Sequence, residues 1–294
     1  MLPNQLEEYM PENYHALPLK ILAALPGIGL DSLYPGYFEL PKGLSAYALY
    51  VILKGNYQTP VKVTQPSFRN TNQLSKFWSD KLLFTEKELK AYWNTDSLLS
   101  DSGVLDTCRL MSIFIPETHL FYWTVTPEAF MNKIHKAYSG FWNQNREQKA
   151  DSLGLQKNEV IVLASIVQEE SNIKSEMPKI AGVYINRLRK SMRLQADPTV
   201  RYILGFNINR ILYGHLATDS PYNTYKIYGL PPGPLNTPNT FAIDAVLNAE
   251  QHEYLYFCAD SDFSGRHRFA ENFIQHRQNA RAYQKALNQR TKQK

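Results

Sequence analysis

The sequence predicts an α+β fold. Short strand-like runs bounded by proline and glycine stand at 37–40, 60–64 and 254–257. Longer segments between them place apolar residues three and four positions apart, the spacing of helices with one buried face. With 294 residues, 44% of them hydrophobic and 20% charged, the chain can build a sizeable core and is not disordered.

The opening Met1-Leu2-Pro3-Asn4-Gln5-Leu6-Glu7-Glu8 is polar and acidic, unlike a signal peptide. Tyr37-Phe38-Glu39-Leu40 is expected as a strand between Pro35-Gly36 and the turn Pro41-Lys42-Gly43. Ser45 is placed to cap a helix over Ala46 to Lys54, with Gly55 closing it. Pro60 to Thr64 reads as a second short strand. Helices are expected over Asn72 to Leu83 and over Thr85 to Trp93, the latter with Glu86 and Glu88 in its first turn. The proline in Ile113-Phe114-Ile115-Pro116-Glu117-Thr118 breaks the pattern. Pro127 to Trp142 predicts an amphipathic helix, apolar at Phe130, Ile134, Tyr138 and Phe141. A further helix is expected from about Met177 to Lys190, burying Ile180, Val183, Tyr184 and Leu188. Tyr254 to Phe257 reads as a strand, and the polar tail Asn288 to Lys294 is expected to fray.

Several function classes find no support. HExxH, P-loop and GxGxxG motifs are absent, and Cys108 and Cys258 form neither a CxxC pair nor a zinc spacing, so no cofactor and no metal are expected. The two cysteines are free or bridged; their count does not decide. The net charge of +5 includes no dense Lys/Arg block interleaved with aromatics, which argues against nucleic acid. No run of 18 apolar residues could span a bilayer. The 19 tyrosines suit either a core or the faces of sugar rings.

Glu170 stands out. In a helix over Val160 to Ser171, Leu163, Ile166, Val167 and Glu170 fall at i, i+3, i+4 and i+7 on one stripe. Lost hydration there would raise the carboxyl pKa, and a carboxylic acid protonated near neutral pH is what general-acid catalysis needs. The alternative is a helix-end glutamate turned into water. Asp197, before Pro198, is held extended and could cap the next helix or belong to a site. The spans Asp219 to Tyr225 and Gly229 to Pro234 specify a rigid, irregular loop, either lining a cleft or packed structurally on the core. His267 could be a hydrogen-bonding partner in a cleft or an ordinary satisfied histidine.

Six ordered segments resemble one family. They are Leu163-Ala164-Ser165-Ile166-Val167-Gln168-Glu169-Glu170, Ala181 to Leu188, Met192 to Thr199, Ser220-Pro221-Tyr222-Asn223-Thr224-Tyr225, Gly229-Leu230-Pro231-Pro232-Gly233-Pro234, and Gly-x-His-x-Phe at Gly265 to Phe269. The chain resembles the YceG-like family, the MltG-type endolytic murein transglycosylases of bacteria. The strong match spans Val160 to Ala286. A weaker one over Pro35 to Val63 is similar to the second half of a LysM-like subdomain, and Pro116-Glu117-Thr118 resembles a Pro-acidic-Thr element. The resemblance implies a truncated LysM-like remnant over 1–63 and a YceG-like catalytic domain over 64–294.

The resemblance puts Glu170 in the catalytic position. Gln168 departs from the commoner glutamate, and Glu169, on an adjacent face, is a decoy. Asn186, Gln195, Asp197, Tyr222, Asn223, Thr224 and His267 are its candidate sugar-binding residues. The implied reaction cleaves the β-1,4 bond from N-acetylmuramic acid to N-acetylglucosamine without water. One carboxyl protonates the leaving oxygen, then accepts the C6 hydroxyl proton as that oxygen closes onto C1 in a 1,6-anhydro ring. This calls for a glutamate pKa raised from about 4.3 toward roughly 6. A muramidase would instead need a second carboxylate, from Glu117, Asp197 or Asp219. A wall-binding protein without turnover is the third reading. Peptidoglycan strands and, beside them, peptidoglycan synthases are the implied partners. Family members usually carry one membrane-spanning helix ahead of the LysM-like unit, so an inner-membrane anchor with an extracytoplasmic catalytic domain is the implied location. The chain is expected to start inside that unit, beyond its first strand.

Overall fold

A computed structural model describes residues 34–95, 106–205, 208 and 211–292. Residues 1–33 of the expected remnant, including the acidic opening, and the last two residues of the tail lie outside the described residues. The described chain is mixed α and β with two short two-stranded antiparallel sheets, and helices make up most of its regular structure.

Helix α1, Ala46–Lys54, starts where Ser45 accepts a hydrogen bond from the Ala48 amide. Gly55 closes it as expected, in right-handed geometry, its amide bonded to the Val51 and Leu53 carbonyls. The expected strand at Tyr37 to Leu40 does not form. The Thr59 amide bonds the Tyr37 carbonyl, but the Glu39 amide turns to the Thr59 side chain, so no ladder develops. Strand β1, Val61–Thr64, pairs instead with β2, Thr118–Phe121, far along the chain.

Around this pair gather α2 (Thr71–Ser79), α3 (Glu86–Trp93), α4 (Thr107–Ile113) and α5 (Pro127–Phe141). Helix α2 stops short of the expected Leu83 because Asp80 caps it. Thr85 and Glu88 form a reciprocal capping box on α3, as S/T-x-x-E allows. The core here is aromatic: Trp78 lies edge-on to Phe130 at 4.9 Å and to Phe121 at 5.5 Å.

The second core is built on α7, Lys157–Glu170, whose residues from Val160 through Val167 are all buried. A helix apolar on every side must be surrounded. Its neighbours are α4, α6 (Gln144–Leu153), α8 (Met177–Arg189), α9 (Asp197–Leu204) and α10 (Thr240–Leu247). Arg146 clamps α6 to α10 through a two-pronged ion pair with Asp244, at 2.9 and 3.0 Å. Gly182 on α8 lets the Glu250 carbonyl and the His252 ring approach closely; a Cβ there would collide with both. Tyr138 packs against both cores.

Strand β3, Tyr256–Ala259, begins two residues later than predicted and pairs with β4, His267–Ala270. Helix α11, Phe273–Lys292, packs on this hairpin and carries the expected frayed tail as helix through Lys292. Cys108 and Cys258 are both free.

Candidate active site

Helix α7 ends at Glu170 because Ser171 turns into extended backbone, φ −145° and ψ 138°. The carboxyl therefore sits at a helix C-terminus, where the dipole disfavours negative charge. Residue 170 keeps partial solvent exposure, yet protein packs closely round its carboxyl. Desolvation is the largest influence and lifts the pKa to about 7. The nearby Asp197 carboxylate pushes the same way. Against them act a hydrogen bond from Tyr184 and the cations Arg187 and Arg201.

The Tyr184 hydroxyl donates to Glu170 Oε1 at 2.5 Å. Tyr184 is 1% exposed, and burial followed by the charge of Glu170 holds its own pKa well above the usual value, so it remains a donor. With Oε1 occupied, the proton of the neutral acid resides on Oε2, which carries no hydrogen bond among the described residues. Arg187 is fixed by the Leu255 carbonyl at 2.7 Å and the Leu194 carbonyl at 2.6 Å, beneath the Tyr256 ring. Tyr225 donates to Asp197 Oδ1 at 2.6 Å, and burial raises the Tyr225 pKa.

The decoy Glu169 is occupied elsewhere: Arg69 pairs with it at 3.3 Å and the Asn236 amide donates to it at 2.7 Å. Gln168 accepts from the Asn239 amide at 2.8 Å at the start of α10, a structural role open to either glutamine or glutamate. Of the three candidate second carboxylates, only Asp197 is among the charges that act on Glu170. Glu117 stands beside His119 in the aromatic core at 3.8 Å, and Asp219 is exposed beside Lys226.

The predicted sugar-binding residues separate. Gln195 and Asp197 are exposed; Gln195 has φ 48°, a left-handed geometry uncommon for a non-glycine residue. The expected capping role of Asp197 is not seen: Ala196 is the cap and Asp197 is the first helical residue. Tyr222 lies tilted against Tyr202, ring centroids 4.8 Å apart, and meets Cys108 Sγ at 3.8 Å. Asn223 and Thr224 are wholly buried. The Asn223 amide donates to the Leu216 and Thr218 carbonyls, while Thr224 Oγ1 accepts from the Ala196 amide at 2.9 Å. Thr224 thus holds the segment of Gln195 and Ala196 just before α9, while Asn223 holds the loop at Leu216 and Thr218. Asn186 donates to the His252 and Tyr254 carbonyls at 2.6 and 3.1 Å, tying α8 to the loop before β3. His267 lies on β4 with its ring against Glu176 at 2.8 Å.

Sequence reasoning passed over Tyr184, Tyr225 and Glu176. Tyr184 was legible as an oddity: a tyrosine on an otherwise aliphatic stripe needs a partner for its hydroxyl when buried.

The chain is similar to several known proteins. The YceG-like family model covers residues 13–282. An endolytic murein transglycosylase of Bacillus subtilis is 29% identical over 255 residues, 80% of this chain and 69% of the relative. One of Streptococcus pneumoniae is 38% identical over 190 residues, 62% of this chain, which spans about one third (33%) of that relative's length. A crystal structure of a YceG-like protein from Listeria monocytogenes superposes with a TM-score of 0.60 at 26% identity, over 90% of each chain.

Proposed function

The chain belongs to the YceG-like family, and from that premise we propose that it is an endolytic peptidoglycan lytic transglycosylase, a lyase, with Glu170 as its single acid and base. The observation that supports this most is a glutamate lifted to about 7 by desolvation while one oxygen is held by Tyr184. Near neutral pH about half of such a group is protonated.

Protonated Oε2 delivers its proton to the oxygen leaving C1 of N-acetylmuramic acid. The resulting carboxylate takes the C6 hydroxyl proton as that oxygen closes onto C1, leaving a 1,6-anhydro end. Each proton lost is regained, and water is not a reactant. General-acid assistance of this kind contributes on the order of 10²–10⁴-fold. Gln195 and Asp197 are exposed, beside the Ala196 backbone that Thr224 braces, which supports them as partners of sugar hydroxyls.

The substrate is the glycan strand of peptidoglycan, so the reaction is extracytoplasmic. Nascent strands near their synthases, and with them the termination of strand elongation, are the setting the family resemblance supports. No helix among the described residues is long and apolar enough to cross a membrane; an N-terminal anchor in the full-length protein rests on the family resemblance. The order of α1 followed by β1 supports reading this region as part of a LysM-like subdomain.

A muramidase is the second reading, favoured by Asp197 as a neighbouring carboxylate. Mass spectrometry of muropeptides released from isolated peptidoglycan separates the two. Anhydro ends, lighter by one water than reducing ends, are expected from wild type and not from Glu170→Gln. Reducing ends would identify a hydrolase, and equal release by both proteins would remove Glu170 from the chemistry.

A further inference from the structure

Ser171, immediately after Glu170, opens a second polar centre. Its hydroxyl approaches Glu176 Oε2 at 3.4 Å. Glu176 is nearly fully buried at the N-cap position of α8, but its side chain makes no capping hydrogen bond to that helix. Its carboxyl instead reaches across to β4: Oε1 accepts from the His267 amide at 2.8 Å, and Oε2 meets His267 Nδ1 at 2.8 Å. Both oxygens thus face donors, which puts the imidazole proton on Nδ1. Nε2 has no partner among the described residues and is not sealed off, since it is not one of the buried unbonded atoms. The ring's face is fixed by Phe257, edge-on at 5.2 Å, and Phe257 in turn meets Tyr184 edge-on at 5.8 Å. The contacts close a circuit from Glu170 through Tyr184, Phe257, His267, Glu176 and Ser171 back to Glu170.

We infer that Glu176 is a positioning residue that fixes the His267 ring and tautomer, so that Nε2 presents a lone pair to the glycan beside Glu170. A buried carboxylate aimed at both the backbone and the ring of one histidine restricts that ring to one orientation. The group Nε2 would recognise is a donor on an amino sugar, a hydroxyl or an acetamido N–H. This inference rests on the transglycosylase reading for its ligand.

The test uses the full chain carrying Glu170→Gln, labelled with ¹⁵N at histidine, and soluble peptidoglycan oligosaccharides as probe. His267→Gln assigns the signal. We expect His267 as the Nδ1–H tautomer, with its Nε2 resonance moving as oligosaccharide is added. Glu176→Gln, which offers an amide donor to the ring, should invert the tautomer and weaken oligosaccharide binding about tenfold, the equivalent of one neutral hydrogen bond. The double substitution should bind no more weakly than His267→Gln alone. An Nε2–H tautomer in the parent, a silent Nε2 resonance, or losses that multiply in the double variant would each overturn the inference. None of these readouts uses turnover. A responsive His267 in a protein that makes no anhydro ends would leave this inference standing and remove the reaction; anhydro ends with a silent His267 would do the reverse.

Discussion

Tyr184, on α8, donates its hydroxyl hydrogen to Glu170 Oε1, at the end of α7, across 2.5 Å. The bond favours the ionised carboxylate and so opposes the desolvation that raises its pKa. Asp197 works in the other direction.

These two neighbours should move the pH profile oppositely. On the proposed mechanism the alkaline limb of kcat/KM reports loss of the Glu170 proton and is expected near pH 7 in wild type. Tyr184→Phe removes a stabiliser of the carboxylate and is expected to shift that limb to higher pH, with kcat reduced about tenfold from lost orientation. Asp197→Asn removes a like charge and should shift it to lower pH. Rate profiles of both variants on isolated glycan strands decide; displacement in the same direction would contradict the opposed effects of Tyr184 and Asp197 on Glu170.

Glu170 should also cost the protein stability above neutral pH. Below about pH 4.3 the group is protonated whether the chain is folded or not, and there is no penalty. Between that value and about 7 the unfolded chain ionises while the folded one keeps its proton, so stability falls as pH rises; above about 7 the loss is complete. A shift from 4.5 to about 7 corresponds to at most about 3 kcal/mol. Glu170→Gln keeps an acceptor for Tyr184, so it should melt several degrees above wild type at pH 8, with the gap closing toward pH 4.5. A gap independent of pH in calorimetry would exclude this origin.

Gly182→Ala drives a methyl group into the Glu250 carbonyl and the His252 ring. The backbone cannot yield there without disturbing Asn186, which bonds the His252 carbonyl. Destabilisation of about 1–3 kcal/mol is expected. Gly140→Ala on α5 meets nothing within 4 Å and should stabilise by about 0.5–1 kcal/mol. Denaturant midpoints of the two variants should move in opposite directions.

Much of the helical framework could be read from periodicity. Pro127–Phe141 and Met177–Arg189 follow their apolar stripes, and Thr85 caps α3 as its capping box requires. Strands were harder, because pairing is not local: Val61–Thr64 finds its partner 54 to 60 residues later, while Tyr37 to Leu40 has the right composition and no ladder. Within the site, Glu170 was visible because a carboxyl on an apolar stripe is anomalous. Asn223 and Thr224 show the opposite limit. The family resemblance implies that both contact sugar, yet the fold turns both inward onto backbone groups. Glu176 gave no signal at all, because its partner lies 91 residues away on another hairpin.

Strand β1 straddles the end of the expected N-terminal remnant at residue 63, and its whole ladder is with β2, far beyond that boundary. Anyone trimming the gene to a minimal catalytic fragment at residue 64 would therefore cut away all of β1 but Thr64, baring the edge of β2, whose Phe121 packs on Trp78. A workable truncation must start upstream of Val61, and the two halves of this chain are better regarded as stitched together than as beads on a string.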